Sequence, residues 1–338
     1  MRLSPGIMIL ALIVLVSAMS CEVAFKIRPF EPIVEGKRIY NAICYGPHRD
    51  GQRPGAAQPT AEELLEDLRL MLPHWKLIRI YGSSEFTETF LRVIRENDID
   101  VKIMLGVWID PEEKRNESGE VLERFDEAAA KNRMEVDAGI RLANEYPEIV
   151  AAVSVGNESL IFWSAHRNYL DIVTGHVRRV REGVEVPVTV ADDFNYWNKP
   201  ESRELASEID FITLHAHPMW NGLQVEEALD WQLDQLKIVQ DMHPDRLVVI
   251  GETGWATSMI DEGDQGKLIK GKPGEAEQRL FYEAVRAWAA DERKTVFFFE
   301  DLDENWKGGT QPAEGEKHRG LFRADRSATE AMSGGDGR

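Results

Sequence analysis

Residues 149–160 read IVAAVSVGNESL, an apolar run that turns polar at Asn157 and Glu158. A short apolar run of this kind is typical of a strand buried on both faces of a parallel sheet. Similar runs recur along the chain, and helical patterns separate them. The predicted strands span residues 39–46, 76–82, 101–109, 149–156, 186–192, 210–217, 246–252 and 295–301.

The segments between the strands have helical periodicity. In TAEELLEDLRLMLP, residues 60–73, Leu68 and Met71 fall on one apolar face. Thr60 and Glu63 have the spacing of a capping box, which predicts where the helix begins. Similar apolar stripes run through residues 84–96, 122–145, 159–182, 226–242 and 274–290.

The alternation of strand and helix predicts an α/β protein. Eight strands within residues 38–325 favour one domain, a (β/α)8 TIM barrel, over two doubly wound domains. No linker or change of composition divides this segment. No G-x-G-x-x-G follows a strand, so a nucleotide-binding domain has no support from the sequence.

The two ends of the chain differ from the barrel segment. Residues 1–20 contain an uncharged apolar run at 7–20 and are predicted to be a signal peptide, so we expect export to the periplasm or the outside of the cell. Cleavage after Ala18 or Ser20 and acylation of Cys21 as a lipid anchor both stay open. Residues 21–37 are predicted to form a polar tether, and residues 326–338 a disordered tail.

Composition limits the classes of partner. The formal net charge is -19, which disfavours nucleic acid and anionic lipid headgroups but is compatible with a neutral polymer. The only cysteines are Cys21 and Cys44, so no disulfide framework or paired-cysteine zinc site is expected. Cys44 is predicted to be a buried small apolar residue. A monomer is expected.

Polar and aromatic residues collect where the predicted strands end. In TIM barrels the reacting groups lie at the carboxyl ends of the strands, so these residues are expected to converge on one rim. They are Tyr45, Tyr81, Trp108, Asn157, Glu158, Asp192, Asp193, His215, His217, Glu252 and Glu300.

Glu158 and Glu252, at the ends of the fourth and seventh strands, are the candidate catalytic pair. A retaining glycosidase needs one protonated carboxyl group for the leaving oxygen and one carboxylate to attack the anomeric carbon. We assign Glu158 as the general acid and base and Glu252 as the nucleophile. Asn157 is placed to contact the sugar 2-hydroxyl.

These motifs resemble glycoside hydrolase family 17, the β-1,3-glucanases and related transglycosylases with retaining (β/α)8 barrels. Asn157-Glu158 matches the family's Asn-Glu pair, and GETGW at 251–255 matches its strand-seven motif. CYGPHRDGQRPG at 44–55 is similar to bacterial members. DENWK at 303–307 and EGEKHRGLF at 314–322 are similar to the family's pattern after strand eight.

The resemblance implies supporting active-site roles for Glu304, Lys307 and Glu316. The chain departs from the family at Ala256, where plant members have Pro. It also has His217-Pro218 in place of a Tyr-Pro, so His217 is expected to hydrogen-bond the nucleophile instead of a phenol.

Several residues have two readings. Trp108, Trp220, Trp255 and Trp306 are expected to stack on sugar rings, although each could belong to the core. Asp192 and Asp193 could bind sugar hydroxyls or cap a helix. Tyr45, Tyr81 and Glu300 are expected to contact substrate. His215 and His217 have a spacing that metal ligands can have on a strand, but acid and base catalysis needs no ion, so no metal or cofactor is expected.

The sequence therefore predicts a hydrolase of laminarin-type β-1,3-glucan that works through a covalent glucosyl-enzyme. A β-1,3-glucanosyltransferase stays open, because a sugar hydroxyl can intercept the same intermediate. A surface glycan-binding lipoprotein without activity also stays open, although the intact carboxylate pair argues against it.

Overall fold

The computed structural model of the protein describes residues 25–333, and the predicted (β/α)8 barrel is confirmed. Eight parallel strands close on themselves, with the first strand paired to the eighth. The strands are β1 (Asn41–Cys44), β2 (Leu77–Arg79), β3 (Lys102–Val107), β4 (Val150–Asn157), β5 (Val188–Asp193), β6 (Phe211–His215), β7 (Leu247–Thr253) and β8 (Val296–Phe298).

Helices surround the barrel in the expected places, with two differences. Residues 159–169 form a loop where a helix was predicted, and the helix before β4 begins at Asp126 because residues 121–124 form a strand. The helices are α1 (Ala61–Met71), α2 (Thr87–Glu96), α3 (Asp126–Glu145), α4 (Leu170–Gly183), α5 (Phe194–Trp197), α6 (Ser202–Ala206), α7 (Val225–Met242), α8 (Gly263–Leu268), α9 (Glu275–Asp291) and α10 (Glu330–Ser333).

The predicted start of α1 is confirmed. The Thr60 hydroxyl accepts from the Glu63 amide at 3.2 Å, and the Glu63 carboxylate accepts from the Thr60 amide at 2.8 Å. Leu68 and Met71 are buried on the face turned to the strands. No helix among residues 25–333 is long and apolar enough to cross a membrane.

An antiparallel hairpin follows β3 on the catalytic side of the barrel. Its strands are Glu113–Arg115 and Val121–Arg124. The Tyr169 hydroxyl accepts from the Arg115 amide at 2.6 Å and ties this hairpin to the loop that follows β4.

Within the segment predicted as a polar tether, residues 21–37, the described part packs under the barrel. The Phe30 ring stacks on Phe211, with centroids 4.4 Å apart. The Arg28 amide donates to Asp210 at 2.7 Å, and its guanidinium donates to the Val186 carbonyl at 2.9 Å. Because β5 and β6 begin just after Val186 and Asp210, this segment seals the amino-terminal floor. The signal-peptide and Cys21 predictions fall on residues 1–24, outside the described residues.

The carboxyl-terminal segment is ordered further than predicted. Arg326 reaches the buried Asp67 of α1, with 3.0 Å between Nε and Oδ1, and α10 follows. Asp67 also accepts from Arg49 at 2.9 Å and from the Tyr45 hydroxyl at 3.0 Å. The prediction of a tail disordered from residue 326 is therefore wrong for residues 326–333, because a buried carboxylate holds them.

The barrel interior is filled mainly by small and apolar side chains. Cys44 is fully buried there beside Ala42 and Ala152, as predicted for a small apolar residue. Burial raises the pKa of the Cys44 thiol to about 12, so it stays protonated. The second apolar layer lies between the strands and the helices.

Candidate active site

The two glutamates meet at the carboxyl-terminal centre of the barrel. A carboxylate oxygen of Glu158 lies within 4.8 Å of one of Glu252, and a ring nitrogen of His215 lies within that distance of both. His215 Nδ1 is 3.0 Å from Glu158 Oε1, and its Nε2 is 3.4 Å from Glu252 Oε1. The fold thus juxtaposes two carboxyl groups separated widely in the sequence.

Glu252 is surrounded by donors. Its Oε1 accepts from Arg79 Nη1 at 2.7 Å and from the Tyr81 hydroxyl at 2.9 Å, and His217 Nε2 lies 3.3 Å from Oε2. Burial opposes ionisation, yet the hydrogen bond from His217 and the charge of the Arg79 guanidinium hold the pKa of Glu252 well below its usual value. This carboxyl group is ionised and oriented.

Glu158 has the opposite environment. Glu158 itself has a φ of +49°, a left-handed conformation that non-glycine residues seldom adopt outside functional sites. Burial, followed by the negative charges of Glu252 and Asp193, raises its pKa well above the usual value. Two neighbouring carboxyl groups whose pKa values are driven apart are typical of an acid and nucleophile pair.

Asn157 and Trp108 border the acid. Arg79 Nη2 donates to Asn157 Oδ1 at 2.6 Å, which orients the amide so that its Nδ2 can serve a sugar hydroxyl. Trp108 is half-buried, its indole donates to Asp110 at 2.8 Å, and its ring lies 4.8 Å from that of His166. Both residues therefore reach the rim where the sequence predicted them.

A lysine and two glutamates follow β8. Lys307 Nζ lies 2.5 Å from Glu300 Oε2 and 2.9 Å from Glu304 Oε2. Burial raises the pKa of Glu300 to about 8. Burial also acts on Glu304, but Lys307 and the hydrogen bond from His48 lower its pKa to about 2. One lysine thus contacts two buried carboxyl groups, and Glu300, which the sequence predicted to contact substrate, is fully buried against this lysine.

A second series of polar contacts joins the loop after β6 to the loop after β8. Arg319 Nη2 contacts His217 Nδ1 at 2.5 Å, and its Nη1 contacts Glu316 Oε1 at 3.1 Å. The same oxygen accepts from the Trp220 indole at 3.0 Å. Glu316 therefore holds a half-buried tryptophan at the rim, and His217 contacts Glu252, the carboxylate that the sequence analysis expected it to reach.

Three residues predicted to contact substrate do not face the cleft. Tyr45 is buried against Phe90 and donates to Asp67, on the helix side of the barrel wall. Trp255 is fully buried, and its indole donates to the Lys272 carbonyl at 3.0 Å. These two predictions are wrong because strand-end residues alternate between the cleft and the outer core.

Asp192 is the third predicted substrate contact that does not face the cleft. For its neighbour, Asp193, the helix-capping alternative holds. The Asp192 carboxylate is fully buried and accepts from the amides of Leu160 and Asp193, each at 2.8 Å. Asp193 accepts from the Asn195 amide at 2.8 Å and caps α5. Both aspartates are therefore used to shape the loops beside the acid.

Sequence reasoning missed three contributions to the site. Arg79 was available as a charged residue inside the apolar run KLIRIYG, two positions before Tyr81 and so on the same face. His215 was considered only as a possible ligand. Phe162 and Trp163 were read as helical, whereas they lie on the loop after β4 and are 71% and 51% exposed.

Glu158, His215 and Glu252 have the atom types of a metal site, but their surroundings do not suit a cation. Arg79 Nη1 lies 3.1 Å from His215 Nε2 and 2.7 Å from Glu252 Oε1. A guanidinium stays charged in proteins, so a divalent ion at this place would face a fixed positive charge. The three residues fit a proton-transfer site.

A parallel (β/α)8 barrel with opposed glutamates at the carboxyl ends of β4 and β7 is the arrangement of a retaining glycoside hydrolase. The chain belongs to the BtgE/BtgC glycoside hydrolase domain family, whose model matches residues 42–320. The resemblance to glycoside hydrolase family 17 is thereby confirmed, and the bacterial subtype stays a prediction.

Several curated proteins are similar to this chain. A glucan 1,3-beta-glucosidase of Arthroderma benhamiae is 26% identical, over 81% of this chain and 85% of that protein. A protein of the same description from Schizosaccharomyces pombe is 26% identical, over 75% of each chain. A probable glucan endo-1,3-beta-glucosidase of Aspergillus clavatus is 24% identical over 74% of this chain, but the match spans only 36% of that longer protein.

Solved structures give the same fold. An endo-laminarinase from Formosa is 25% identical, with a TM-score of 0.75, over 87% of this chain and 86% of that one. A family 17 beta-1,3-glucanosyltransferase from Rhizomucor miehei has a TM-score of 0.66 at 19% identity, over 87% of this chain and 97% of that one. The second likeness shows the fold alone.

Proposed function

We propose that the protein hydrolyses β-1,3-glucan with retention of anomeric configuration. The observation that carries this proposal is the approach of the Glu158 and Glu252 carboxylates to within 4.8 Å. Retaining glycosidases have their two carboxyl groups about 5 to 5.5 Å apart, whereas inverting ones need about 6.5 to 9.5 Å to admit a water. The spacing supports direct attack by a carboxylate.

The two glutamates divide the chemistry. Glu252 attacks the anomeric carbon while Glu158 gives its proton to the departing glycosidic oxygen, which leaves a glycosyl ester and an ionised Glu158. Glu158 then takes a proton from water, the water oxygen attacks the same carbon, and Glu252 leaves as a carboxylate. The low pKa of Glu252 and the raised pKa of Glu158 put each group in the form that the first step needs.

The proposed substrate rests on the relatives and on the charge of the chain. The two relatives matched over three quarters or more of their length are described as glucan 1,3-beta-glucosidases. A neutral polysaccharide has no charge for a chain of net charge -19 to repel. Half-buried Trp108 and Trp220 at the rim can offer indole edges and faces to pyranose rings.

The test is a comparison of purified wild type, Glu252→Ala and Glu158→Ala on laminarin. Both variants are expected to lose turnover while their circular dichroism stays that of a folded barrel, although Glu252→Ala should also lower the unfolding midpoint because it leaves the buried Arg79 without its carboxylate. With an activated aryl β-glycoside and added azide, Glu158→Ala should form the β-glycosyl azide, because the activated leaving group needs no acid in the first step and azide needs no general base when it displaces Glu252 in the second. Undiminished laminarin turnover in either variant would contradict the assignment.

Glucanosyl transfer is a second candidate function, favoured by the loop after β4. Phe162 and Trp163 are exposed only a few residues beyond Glu158, the proposed acid that contacts the leaving sugar. The Ser159 carbonyl accepts from the Asn168 amide at 2.6 Å, which closes the base of this loop. A braced loop with two exposed aromatic rings can hold an acceptor sugar.

Export is also part of the proposal, supported by the apolar run at residues 7–20. Acylation of Cys21 would turn an exported enzyme into a membrane-anchored one. Fractionation of cells that express the full chain and a Cys21→Ala variant separates these outcomes. A lipoprotein is expected to move from the membrane to the soluble fraction when the cysteine is lost.

A further inference from the structure

His215 stands between the two catalytic candidates and has a defined tautomer. Its ring is fully buried, and Arg79 Nη1 lies 3.1 Å from its Nε2. Arg79 Nη1 divides its two hydrogens among His215 Nε2, the Gly251 carbonyl at 3.0 Å and Glu252 Oε1 at 2.7 Å. Because a guanidinium can only donate hydrogen bonds, we assign the tautomer with an unprotonated Nε2, which keeps the His215 N–H from facing an Arg79 N–H. Burial lowers the pKa of His215 to about 4, so the ring is neutral at higher pH. Its single proton therefore sits on Nδ1, 3.0 Å from Glu158 Oε1.

His217, two residues along the chain, is fixed in the other tautomer. Arg319 Nη2 contacts His217 Nδ1 at 2.5 Å, which makes Nδ1 the acceptor and leaves the proton on Nε2. That nitrogen is 3.3 Å from Glu252 Oε2. Each histidine thus has an arginine on one nitrogen and gives its N–H to a different glutamate.

We propose that His215 is a positioning residue for proton transfer by Glu158, an inference that rests on the proposed function. By donating to Oε1, the imidazole leaves Oε2 as the oxygen that carries the acid's proton toward the glycosidic bond. The same N–H then stabilises the carboxylate that remains once the proton has been given to the leaving group.

Arg79 links this hydrogen bond to the state of the nucleophile. Its Nη1 contacts both Glu252 Oε1, at 2.7 Å, and His215 Nε2. When Glu252 becomes a neutral ester, the guanidinium loses its nearest negative charge and polarises the imidazole more strongly. The Nδ1–H of His215 becomes a better donor at the moment when Glu158 becomes anionic. In the first step Glu252 loses its negative charge as Glu158 gains one. The hydrogen bonds of the His215 ring between them change in strength with both.

The other charged groups around Glu158 act mainly against its ionised form. Carboxylates face it from β5, from β7 and from the loop after β8, while the guanidinium on β2 acts in the opposite direction. His215 Nδ1 is the side-chain donor to Glu158 among residues 25–333. The groups are Asp192, Asp193, Glu252, Glu316 and Arg79. Loss of the His215 N–H should therefore raise the pKa of Glu158 further.

Two substitutions separate positioning from folding. His215→Asn can place an amide N–H near the position of Nδ1, whereas His215→Leu fills much of the volume without a donor. His243→Leu is the matched control, because His243 is a buried histidine that hydrogen-bonds Ser202 and the Trp197 carbonyl far from the cleft. Circular dichroism and urea unfolding record the structural cost of each change.

The readouts are kcat/KM against pH and against leaving group. For laminari-oligosaccharides we expect His215→Leu to lose roughly 10- to 100-fold, the size of effect expected from a hydrogen bond to a charged group. Its alkaline limb should move to higher pH. An aryl glycoside with a dinitrophenolate leaving group needs no acid, so its kcat/KM should change much less. His215→Asn should recover part of the loss.

The outcomes separate this inference from the proposed function. If wild type cleaves laminari-oligosaccharides but His215→Leu keeps both the pH profile and the leaving-group dependence of wild type, the role of His215 is overturned. An equal loss on both substrates, shared by His243→Leu, would also overturn it by showing a structural effect alone. If folded wild type releases no sugar from any β-1,3-glucan, the proposed function itself fails.

Discussion

Arg79 Nη1 lies 2.7 Å from Glu252 Oε1, and both side chains are almost completely buried at the centre of the barrel. A buried cation next to a carboxylate lowers the pKa of that carboxyl group. Replacing Arg79 with Met should therefore raise the pKa of Glu252 and move the acid limb of the pH–rate profile of kcat/KM to higher pH.

Arg246→Met is the control for this change. Arg246 is a buried arginine at the floor of the barrel that donates to the Ala206 carbonyl at 2.8 Å. Its replacement should lower stability without displacing the acid limb. An acid limb that stays in place in folded Arg79→Met would show that the ion pair does not set the pKa of Glu252.

Trp255 and Trp220 should respond to alanine in opposite ways. Trp255 is fully buried, so Trp255→Ala is expected to cost about 3 to 5 kcal/mol of unfolding free energy. Trp220 is half-buried at the rim, so Trp220→Ala should raise KM for laminari-oligosaccharides with a smaller loss of stability. Urea unfolding and steady-state kinetics on both variants test this. The correction for Trp255 fails if its variant keeps wild-type stability.

Trp163→Ala should change the fate of the glycosyl-enzyme. With fewer aromatic contacts for an incoming sugar, transfer products should decrease relative to hydrolysis products at high oligosaccharide concentration. Chromatography of products over time measures the ratio. Met134→Ala is the control, since Met134 is 73% exposed on α3. An unchanged ratio in Trp163→Ala would remove the support for an acceptor platform.

Asp67 should be a large contributor to stability. It is fully buried and pairs with Arg49 and Arg326, so Asp67→Ala leaves two partly buried arginines without their carboxylate. We expect a loss of about 3 kcal/mol, the lower end for breaking a buried pair, because both arginines keep some contact with water. Glu66→Ala removes a carboxylate on the same Arg49 that is 65% exposed, and should cost less than about 1 kcal/mol.

The two active-site histidines should make the fold less stable in mild acid. Burial lowers the pKa of His215 and of His217 to about 4, below the usual histidine value. Between pH 6.5 and 4 the unfolded chain therefore binds more protons, and the free energy of unfolding falls as the pH falls. Urea unfolding at several pH values measures the slope, which should be shallower in His217→Asn. A slope that is the same in this variant would assign the effect to other groups.

Much of the barrel follows directly from periodicity. Short apolar runs and amphipathic stripes predict the eight strands and the N-cap of α1 at Thr60. A strand buried on both faces and a capped helix each have a recognisable local sequence pattern. The loop at residues 159–169 was predicted as helix for the same reason. Its apolar residues have helical spacing, but tertiary contacts such as the Asp192 bond to the Leu160 amide hold it as a loop.

The candidate site was only partly predictable. Glu158 and Glu252 stand in recognisable strings, but whether a strand-end side chain faces the cleft depends on a register that sequence does not specify. Tyr45 and Trp255 illustrate this, since both stand at strand ends and both turn to the outer core. Arg79 illustrates the converse. Its importance comes from its contacts with Asn157, His215 and Glu252, which stand on strands distant in the sequence.

Residues 25–38, which pack beneath the barrel, determine from which side the enzyme can be attached to a surface. Phe30 and Arg28 fix this segment at the end of the barrel opposite the active site. The chain could be attached ahead of Phe25 to a lipid, a bead or a sensor surface. The active site would then face away from that attachment. A long polysaccharide could then thread past without meeting the surface that holds the enzyme.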